Sequence, residues 1–199
     1  NYSFRRMAQD QVDVMQMGRE ELSSVRNRKI GFVFQFHYLL AELTTMENML
    51  IPARKAGMLD LSSGYASELL QKFGIGDKCD RLPRQLSGGE QQRVAIARSL
   101  MQQPRLLLAD EPVASLDPES SIQVLDLISR IAREDGMTVI CSLHQVELAL
   151  GRTDRIIGLR AGSMVLDTPT AGVDTQRVMD LYRRTESTGD TRSLLLSPA

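Results

Sequence analysis

The stretch LSGGEQQR, residues 86–93, is the segment that decides how this chain folds. Its serine and two glycines come directly before a helical pattern over 90–103, in which apolar residues recur on one side. Glycine lets a ligand approach the backbone closely, and the N-terminus of a helix favours a bound anion. The segment therefore predicts a phosphate-binding turn followed by a helix.

A second informative stretch, LLLADEP at residues 106–112, follows the predicted helix. Its apolar run predicts a buried strand that ends in Asp110 and Glu111. Ligands of open α/β sheets bind beyond the carboxyl ends of the strands. We therefore expect these carboxylates and His144, which follows another predicted strand, on one rim of a sheet. Asp110 suits Mg²⁺, and Glu111 suits the orientation or deprotonation of an attacking water.

Each of these features taken alone has a plainer interpretation. An Asp-Glu pair at a strand end can be a solvated pair, and a histidine after a strand is more often structural. A Ser-Gly-Gly sequence can be a flexible turn that caps a helix. The combination of the features, and their order along the chain, favours nucleotide chemistry over these interpretations.

The motifs together resemble those of ABC-transporter ATPases over at least residues 29–167. LSGGEQQR is similar to the family's signature, LLLADEP to its Walker B strand with the adjoining glutamate, and SLD at 115–117 to its D-loop. Gln35 in GFVFQ resembles the Q-loop glutamine, and His144 in CSLHQ resembles the switch histidine. The ordered set of motifs is much more specific than any single motif.

This resemblance implies a P-loop NTPase-like α/β fold, with a mostly parallel sheet, helices on both faces and a helical subdomain. It implies ATP and Mg²⁺ as ligands, with Gln35 and Asp110 directed to the metal and Glu111 and His144 as catalytic residues. The signature would read the nucleotide held by a second, like subunit packed head to tail. The residues that the resemblance assigns to nucleotide binding are Gln35, Ser87, Gly88, Gly89, Gln91, Asp110 and Asp117.

The resemblance also implies transmembrane permease subunits as partners, and a peripheral position on the cytoplasmic face of the inner membrane. Residues 36–58 are expected to face the permease. The front, 31–57, resembles lipoprotein-release and macrolide-exporter ATPases, whereas 114–167 looks more like phosphonate-importer ATPases. Cargo and transport direction therefore stay open at this point.

The phosphate-loop pattern G-x-x-x-x-G-K-[ST] occurs nowhere in the 199 residues. In the family that loop lies well before the Q-loop glutamine, but the residues before Gln35 contain only two isolated glycines, Gly18 and Gly31. We therefore expect the first strands and the phosphate loop of the domain to be missing, so that this chain alone binds ATP very weakly and does not hydrolyse it. The alternative is a non-catalytic regulatory or interaction subunit of the same family.

Composition narrows the choice of partners. The chain has 24 lysine and arginine residues against 25 aspartate and glutamate residues, and a pI of about 6.2. This balance argues against a nucleic-acid partner, and hence against the ABC-type ATPases of DNA repair. The two cysteines lie in unlike contexts, which favours reduced thiols over the alternative of a disulfide. No apolar stretch is long enough for a membrane helix, so membrane contact would need another polypeptide.

The same patterns predict how the chain is organised. We assign 1–35 to a remnant of the N-terminal core with the Q-loop, and 36–86 to the helical subdomain. Residues 87–168 would form the signature helix and the α/β core, and 169–199 a C-terminal helix with a disordered tail. Predicted helices are 19–28, 44–55, 63–73, 90–103, 118–135, a short one after 144, and 175–184. Predicted strands are 29–34, 106–109, 137–141, 155–160 and 163–167.

Overall fold

Helices and strands alternate in the second half of the chain, as the sequence predicts. The computed structural model describes residues 16–56, 62–173, 175–176, 178–179 and 193–197. The helices are α1 (Arg19–Lys29), α2 (Thr45–Ala56), α3 (Ser62–Lys72), α4 (Gly88–Leu100), α5 (Pro118–Asp135) and α6 (Val146–Arg152). The strands are β1 (Ile30–Val33), β2 (Leu106–Asp110), β3 (Thr138–Ser142), β4 (Arg155–Arg160), β5 (Ser163–Pro169) and β6 (Ser193–Ser197).

The strands of the described residues form one sheet in the order β1-β2-β3-β6-β4-β5. Strands β1, β2 and β3 are parallel, whereas β4 and β5 form an antiparallel pair. Val33 lies opposite Ala109, and Asp110 lies opposite Ser142. Because parallel strands all run in the same direction, the carboxyl ends of β1, β2 and β3 meet at one rim of the sheet. The predicted α/β architecture is confirmed.

Strand β6 differs from the prediction for the end of the chain. Residues 193–197 were expected in a disordered tail, but they form a strand that pairs antiparallel with both β3 and β4. The physical reason is that β3 and β4 would otherwise carry unpaired backbone N–H and C=O groups in the middle of the sheet. The predicted helix over 175–184 lies mostly outside the described residues, although 175–176 and 178–179 are helical.

Helix α4 is the centre of the hydrophobic core. Its side chains are buried along most of its length, and α2 and α3 pack against it. Helix α2 begins with a capping box, because Thr44 Oγ1 accepts from the Glu47 backbone N–H at 3.2 Å and Glu47 Oε2 accepts from the Thr44 N–H at 2.8 Å. Core residues of α4 that are fully or almost fully buried are Val94, Ala95, Ile96, Ala97 and Leu100.

The two cysteines are free thiols, in agreement with the sequence prediction. Cys141 is buried in β3, and its burial raises the pKa of the thiol to about 12. The Cys141 thiol therefore stays protonated and packs as a small apolar group. Among the residues that the structure describes, no helix combines the length and the apolar character that crossing a membrane requires.

Gly31 in β1 provides a test of the packing between the sheet and α4. A Cβ atom at Gly31 would lie 2.7 Å from the Ser99 backbone oxygen, whereas a Cβ at Gly64 in α3 would meet nothing within 4 Å. We expect Gly31→Ala to lower the free energy of unfolding by about 1–3 kcal/mol, because β1 must move away from α4. Gly64→Ala should raise it by up to about 1 kcal/mol, because alanine favours the helix. Urea unfolding of both variants measures the difference, and an equal response would contradict the close approach at Gly31.

Candidate functional site

Asp110 ends β2 at the rim of the sheet and is held by the neighbouring strand. Its backbone is opposite Ser142 of β3, and the Ser142 hydroxyl donates to Asp110 Oδ1 at 2.7 Å. Asp110 is exposed, whereas Ser142 is buried. The carboxylate is therefore fixed from behind and open to a ligand at the rim.

Glu111 leaves the sheet in an unusual backbone conformation. Its φ is +49°, in the left-handed region that residues other than glycine rarely adopt. Glu111 Oε1 lies 2.6 Å from His144 Nε2, with 16% of the Glu111 side chain and 55% of the His144 side chain exposed. Strain of this kind clusters at functional sites. The pair matches the sequence expectation that Glu111 and His144 share one rim.

Gln35 follows β1 at the same rim. Since β1 runs parallel to β2 with Val33 opposite Ala109, the chain leaves β1 beside the point where Asp110 ends β2. The Gln35 side chain is exposed. The topology thus brings Gln35 to the same edge as Asp110, Glu111 and His144, the three residues that the sequence predicts there. Among the described residues, no group of three or more His, Cys, Asp or Glu side chains is arranged to hold a metal ion.

Ser87 begins α4 with a reciprocal pair of hydrogen bonds. The Ser87 Oγ accepts from the Glu90 backbone N–H at 3.2 Å, and Glu90 Oε2 accepts from the Ser87 N–H at 2.7 Å. The bond from the Ser87 backbone holds the pKa of Glu90 below its usual value. Ser87 remains exposed, so the start of α4 is ordered and accessible at the same time.

The two glycines of the signature differ in how closely other residues pack against them. A Cβ at Gly89 would lie 3.1 Å from Leu116 Cδ2, so a larger residue there would need the Leu116 side chain to shift by a few tenths of an ångström. Gly88 is exposed, and a Cβ there would meet nothing within 4 Å. No packing within the described chain therefore requires glycine at position 88, which leaves its backbone open to an external group.

Gln91 and Asp117 take part in contacts within the chain. The Gln91 amide donates to the backbone oxygens of Pro83 at 3.1 Å and Leu86 at 3.2 Å, which fixes the turn before the signature. Asp117 Oδ1 accepts from the Ser120 N–H at 2.9 Å and caps α5. Hydrogen bonds from Ser120 lower the pKa of Asp117. These local contacts are a structural role for two residues that the sequence resemblance assigns to nucleotide binding.

Sequence reasoning missed three polar residues that hold the site together. Ser142 contacts Asp110, as described above. Buried Gln92 donates to the Pro112 backbone oxygen at 2.8 Å and so connects α4 to the turn after Glu111. Arg98 donates to the backbone oxygens of residues 37 and 38 at 3.0 and 2.9 Å, which connects α4 to the segment after Gln35. Gln92 and Arg98 could have been noticed as polar residues in the apolar pattern of α4.

The segment after Gln35 carries an exposed aromatic surface. Phe36 is 67% exposed and Tyr38 is 64% exposed. Tyr38 makes edge contacts with Phe34 and Phe36, with ring centroids 5.5 and 6.3 Å apart. Exposed aromatic clusters of this kind are typical of surfaces that bind another protein.

Comparison with known proteins identifies the family. The sequence profile described as "ABC transporter" matches residues 4–114, more than half of the chain. The chain belongs to the ABC transporter family. The arrangement of Asp110, Glu111 and His144 at one rim is thus found in a member of the family whose motifs they resemble.

Two groups of ABC transporter relatives are similar to this chain over most of its length. The phosphonates import ATP-binding protein PhnC of Nocardia farcinica is 49% identical over 81% of this chain and 63% of its own length. The lipoprotein-releasing system ATP-binding protein LolD of Syntrophus aciditrophicus is 46% identical over 77% of this chain and 69% of its own length. The chain therefore spans less than two thirds of the Nocardia relative.

Solved ABC cassettes have a similar fold. A dimeric ATP-binding cassette in a post-hydrolysis state, bound to ADP and Pi, aligns with a TM-score of 0.73 and 33% identity, over 82% of this chain and 72% of that one. The chain therefore shares the fold of this cassette. The solved cassette is a dimer with bound nucleotide. The similarity supports the α/β fold and the sequence resemblance independently of the motifs.

Proposed function

We propose that this chain is the nucleotide-handling part of an ATP-driven membrane transporter. The observation that carries the proposal is the 2.6 Å contact between Glu111 Oε1 and His144 Nε2, beside Asp110, at the carboxyl edge of parallel strands. A glutamate paired with a histidine can orient and deprotonate a water, and the histidine can donate to a phosphate oxygen. Family membership supports ATP as the nucleotide and transport as the coupled process.

The residues at the rim fit Mg²⁺ bound with ATP. Mg²⁺ is usually held by one or two carboxylates and otherwise by waters and substrate phosphates. Asp110 supplies one exposed carboxylate, and Gln35 leaves β1 at the same edge. The ion would neutralise phosphate charge, while Glu111 and His144 act on water and phosphate.

The start of α4 serves a second nucleotide site in this proposal. Ser87 and Gly88 are exposed, and their helix N-terminus favours an anion. An opposing ABC subunit would bring its own bound ATP to this turn, with Asp117 near the seam. The dimeric arrangement of the solved cassette supports such a pairing.

The exposed aromatic surface is the proposed contact with the membrane permease. Phe36, Tyr38 and Leu40 present apolar area after Gln35. Arg98 of α4 donates to the backbone oxygens of His37 and Tyr38 in the same segment. Movement of a permease segment on this surface would therefore shift Gln35 at the rim and, through Arg98, helix α4 that begins with the signature. In this arrangement the protein lies peripherally on the cytoplasmic face of the membrane. The names of the two groups of relatives give different cargoes, phosphonates and lipoproteins. The proposal is therefore ATP-driven transport without a specified cargo.

The absence of a phosphate-loop pattern in the printed sequence gives a direct test. We expect the 199-residue chain to bind ATP very weakly and to release no phosphate, because its sequence lacks the pattern whose backbone holds the nucleotide phosphates. A fusion in which the phosphate-loop segment of another ABC cassette precedes residue 1 should bind ATP and hydrolyse it. Isothermal titration and a phosphate-release assay on both proteins measure these effects. A fusion that binds ATP without hydrolysing it would contradict the enzymatic proposal.

The absence of the phosphate-loop pattern from the sequence also favours a second candidate function. A chain of this family without a phosphate loop could be a regulatory or interaction subunit that completes the site of a partner. Such a subunit would keep the exposed signature turn, but Asp110, Glu111 and His144 at its own rim would not catalyse hydrolysis. The fusion separates the candidates, since a regulatory subunit gains ATP binding but no hydrolysis.

A further inference from the structure

We infer that Ser142 is a positioning residue that sets the geometry of both rim carboxylates. The inference rests on the proposed function for its catalytic meaning, but its geometry stands on its own. Ser142 is the last residue of β3, is 8% exposed, and lies opposite Asp110 in the sheet. Its hydroxyl contacts two consecutive residues of the neighbouring strand end.

The Ser142 hydroxyl uses its donor and an acceptor at once. It donates to Asp110 Oδ1 at 2.7 Å and accepts from the Glu111 backbone N–H at 3.0 Å. A hydroxyl has one donor and two acceptor positions, so a single side chain satisfies both contacts. Ser142 is buried as a residue, which limits the access of water to both contacts.

The contact to the Glu111 backbone matters because that backbone is strained. Glu111 has φ at +49°, and a left-handed residue other than glycine persists only when its surroundings hold it there. The hydrogen bond from the Glu111 N–H to Ser142 is such a restraint. The left-handed turn brings the Glu111 carboxylate to His144, at 2.6 Å.

His144 lies two positions after Ser142, in the segment that follows β3. One short segment therefore positions the water-activating pair from both sides: Ser142 holds the Glu111 backbone, and His144 holds the Glu111 side chain. The same hydroxyl holds the Asp110 carboxylate through Oδ1. Loss of the hydroxyl should release all three groups together, while the sheet register stays in place.

The test uses two variants of the full chain that share one shape. Ser142→Val and Ser142→Thr place the same branched side chain in β3, and only threonine keeps the hydroxyl. In Ser142→Val the Glu111 amide should exchange its hydrogen about tenfold faster, because its acceptor is gone. A crystal structure of this variant should show Glu111 Oε1 more than about 3.5 Å from His144 Nε2. Ser142→Thr should keep the wild-type exchange rate and contact.

Ser99→Ala is the control for a general loss of stability. Ser99 is as buried as Ser142, but its hydroxyl donates to the Ile96 backbone oxygen inside α4. This variant should leave exchange at Glu111 unchanged. If Ser142→Val does not fold, Ser142→Ala takes its place. A hydroxyl-free variant that keeps the Glu111–His144 contact overturns the inference, as does an equal effect of Ser99→Ala.

The phosphate-loop fusion adds a catalytic readout. There, Ser142→Val should lower kcat by about 10- to 100-fold, because the reacting groups are misplaced. The KM for ATP should stay within about threefold, and Ser142→Thr should retain kcat within the same factor. An unchanged kcat in Ser142→Val overturns the positioning role. If the unaltered fusion is inactive, the proposed function fails, while amide exchange and the crystal structures still decide the role of Ser142.

Discussion

Glu111→Gln is expected to lower phosphate release by the phosphate-loop fusion by about 100-fold or more. Glutamine keeps the size of glutamate and can still contact His144, which lies 2.6 Å away. It cannot take a proton from water, because an amide oxygen is a very weak base. ATP binding should stay within about threefold, since the change removes a group that acts mainly in the transition state.

The matched control for this prediction is Glu119→Gln. Glu119 is an exposed glutamate in the first turn of α5, close in sequence to Glu111 but away from the rim contacts. The same loss of one negative charge there should leave hydrolysis unchanged. Single-turnover phosphate release together with ATP titration distinguishes the chemical step from binding. Near-normal turnover by Glu111→Gln would show that a residue other than Glu111 deprotonates the attacking water.

The convergence of Asp110, Glu111 and His144 could be predicted from sequence because it follows from topology. An apolar run that ends in carboxylates marks a buried strand, and parallel strands place their carboxyl ends at one rim. The distances between these residues then depend on how two strands align laterally. That alignment is set by backbone pairing between β2 and β3, which a pattern along one segment does not contain.

Ser142 shows this limit clearly. Sequence reasoning ended the strand at Cys141, one residue before Ser142, and a serine near a strand end carries no signal of its own. Its importance comes from the register that places it opposite Asp110 and from the left-handed turn at Glu111. Both are properties of the folded chain.

Gln91 and β6 show a second limit, which is competition between local and distant partners. The motif suggested that Gln91 faces nucleotide, but two backbone oxygens of the preceding turn bind its amide. The composition of residues 185–199 suggested disorder, but 193–197 fill the gap between β3 and β4. Leaving backbone groups unpaired in the middle of a sheet is costly. This cost can order a segment whose own sequence does not predict ordered structure.

Ser87→Arg tests whether each site is shared between two chains. Ser87 is exposed at the start of α4, and its hydroxyl caps the helix. Arginine should cost about 1 kcal/mol of stability through the lost cap and fill the space that an opposing nucleotide needs. In the phosphate-loop fusion we expect hydrolysis to fall by about 100-fold, because phosphate contacts of this kind stabilise the transition state. Ser87→Ala, which lacks the bulk, measures the effect of losing the hydroxyl without filling the space.

Mixing this variant with Glu111→Gln gives the decisive result. If Ser87 completes the site of the opposite chain, a mixed dimer combines the intact Glu111 of one subunit with the intact Ser87 of the other. Equal amounts of the two inactive fusions should then regain up to about a quarter of the original rate, because half of the dimers are mixed and each has one intact site. If both residues serve a site within one chain, every site in the mixture lacks one of them. Mixing would then restore no activity, and the signature turn would have to act on nucleotide bound by its own subunit.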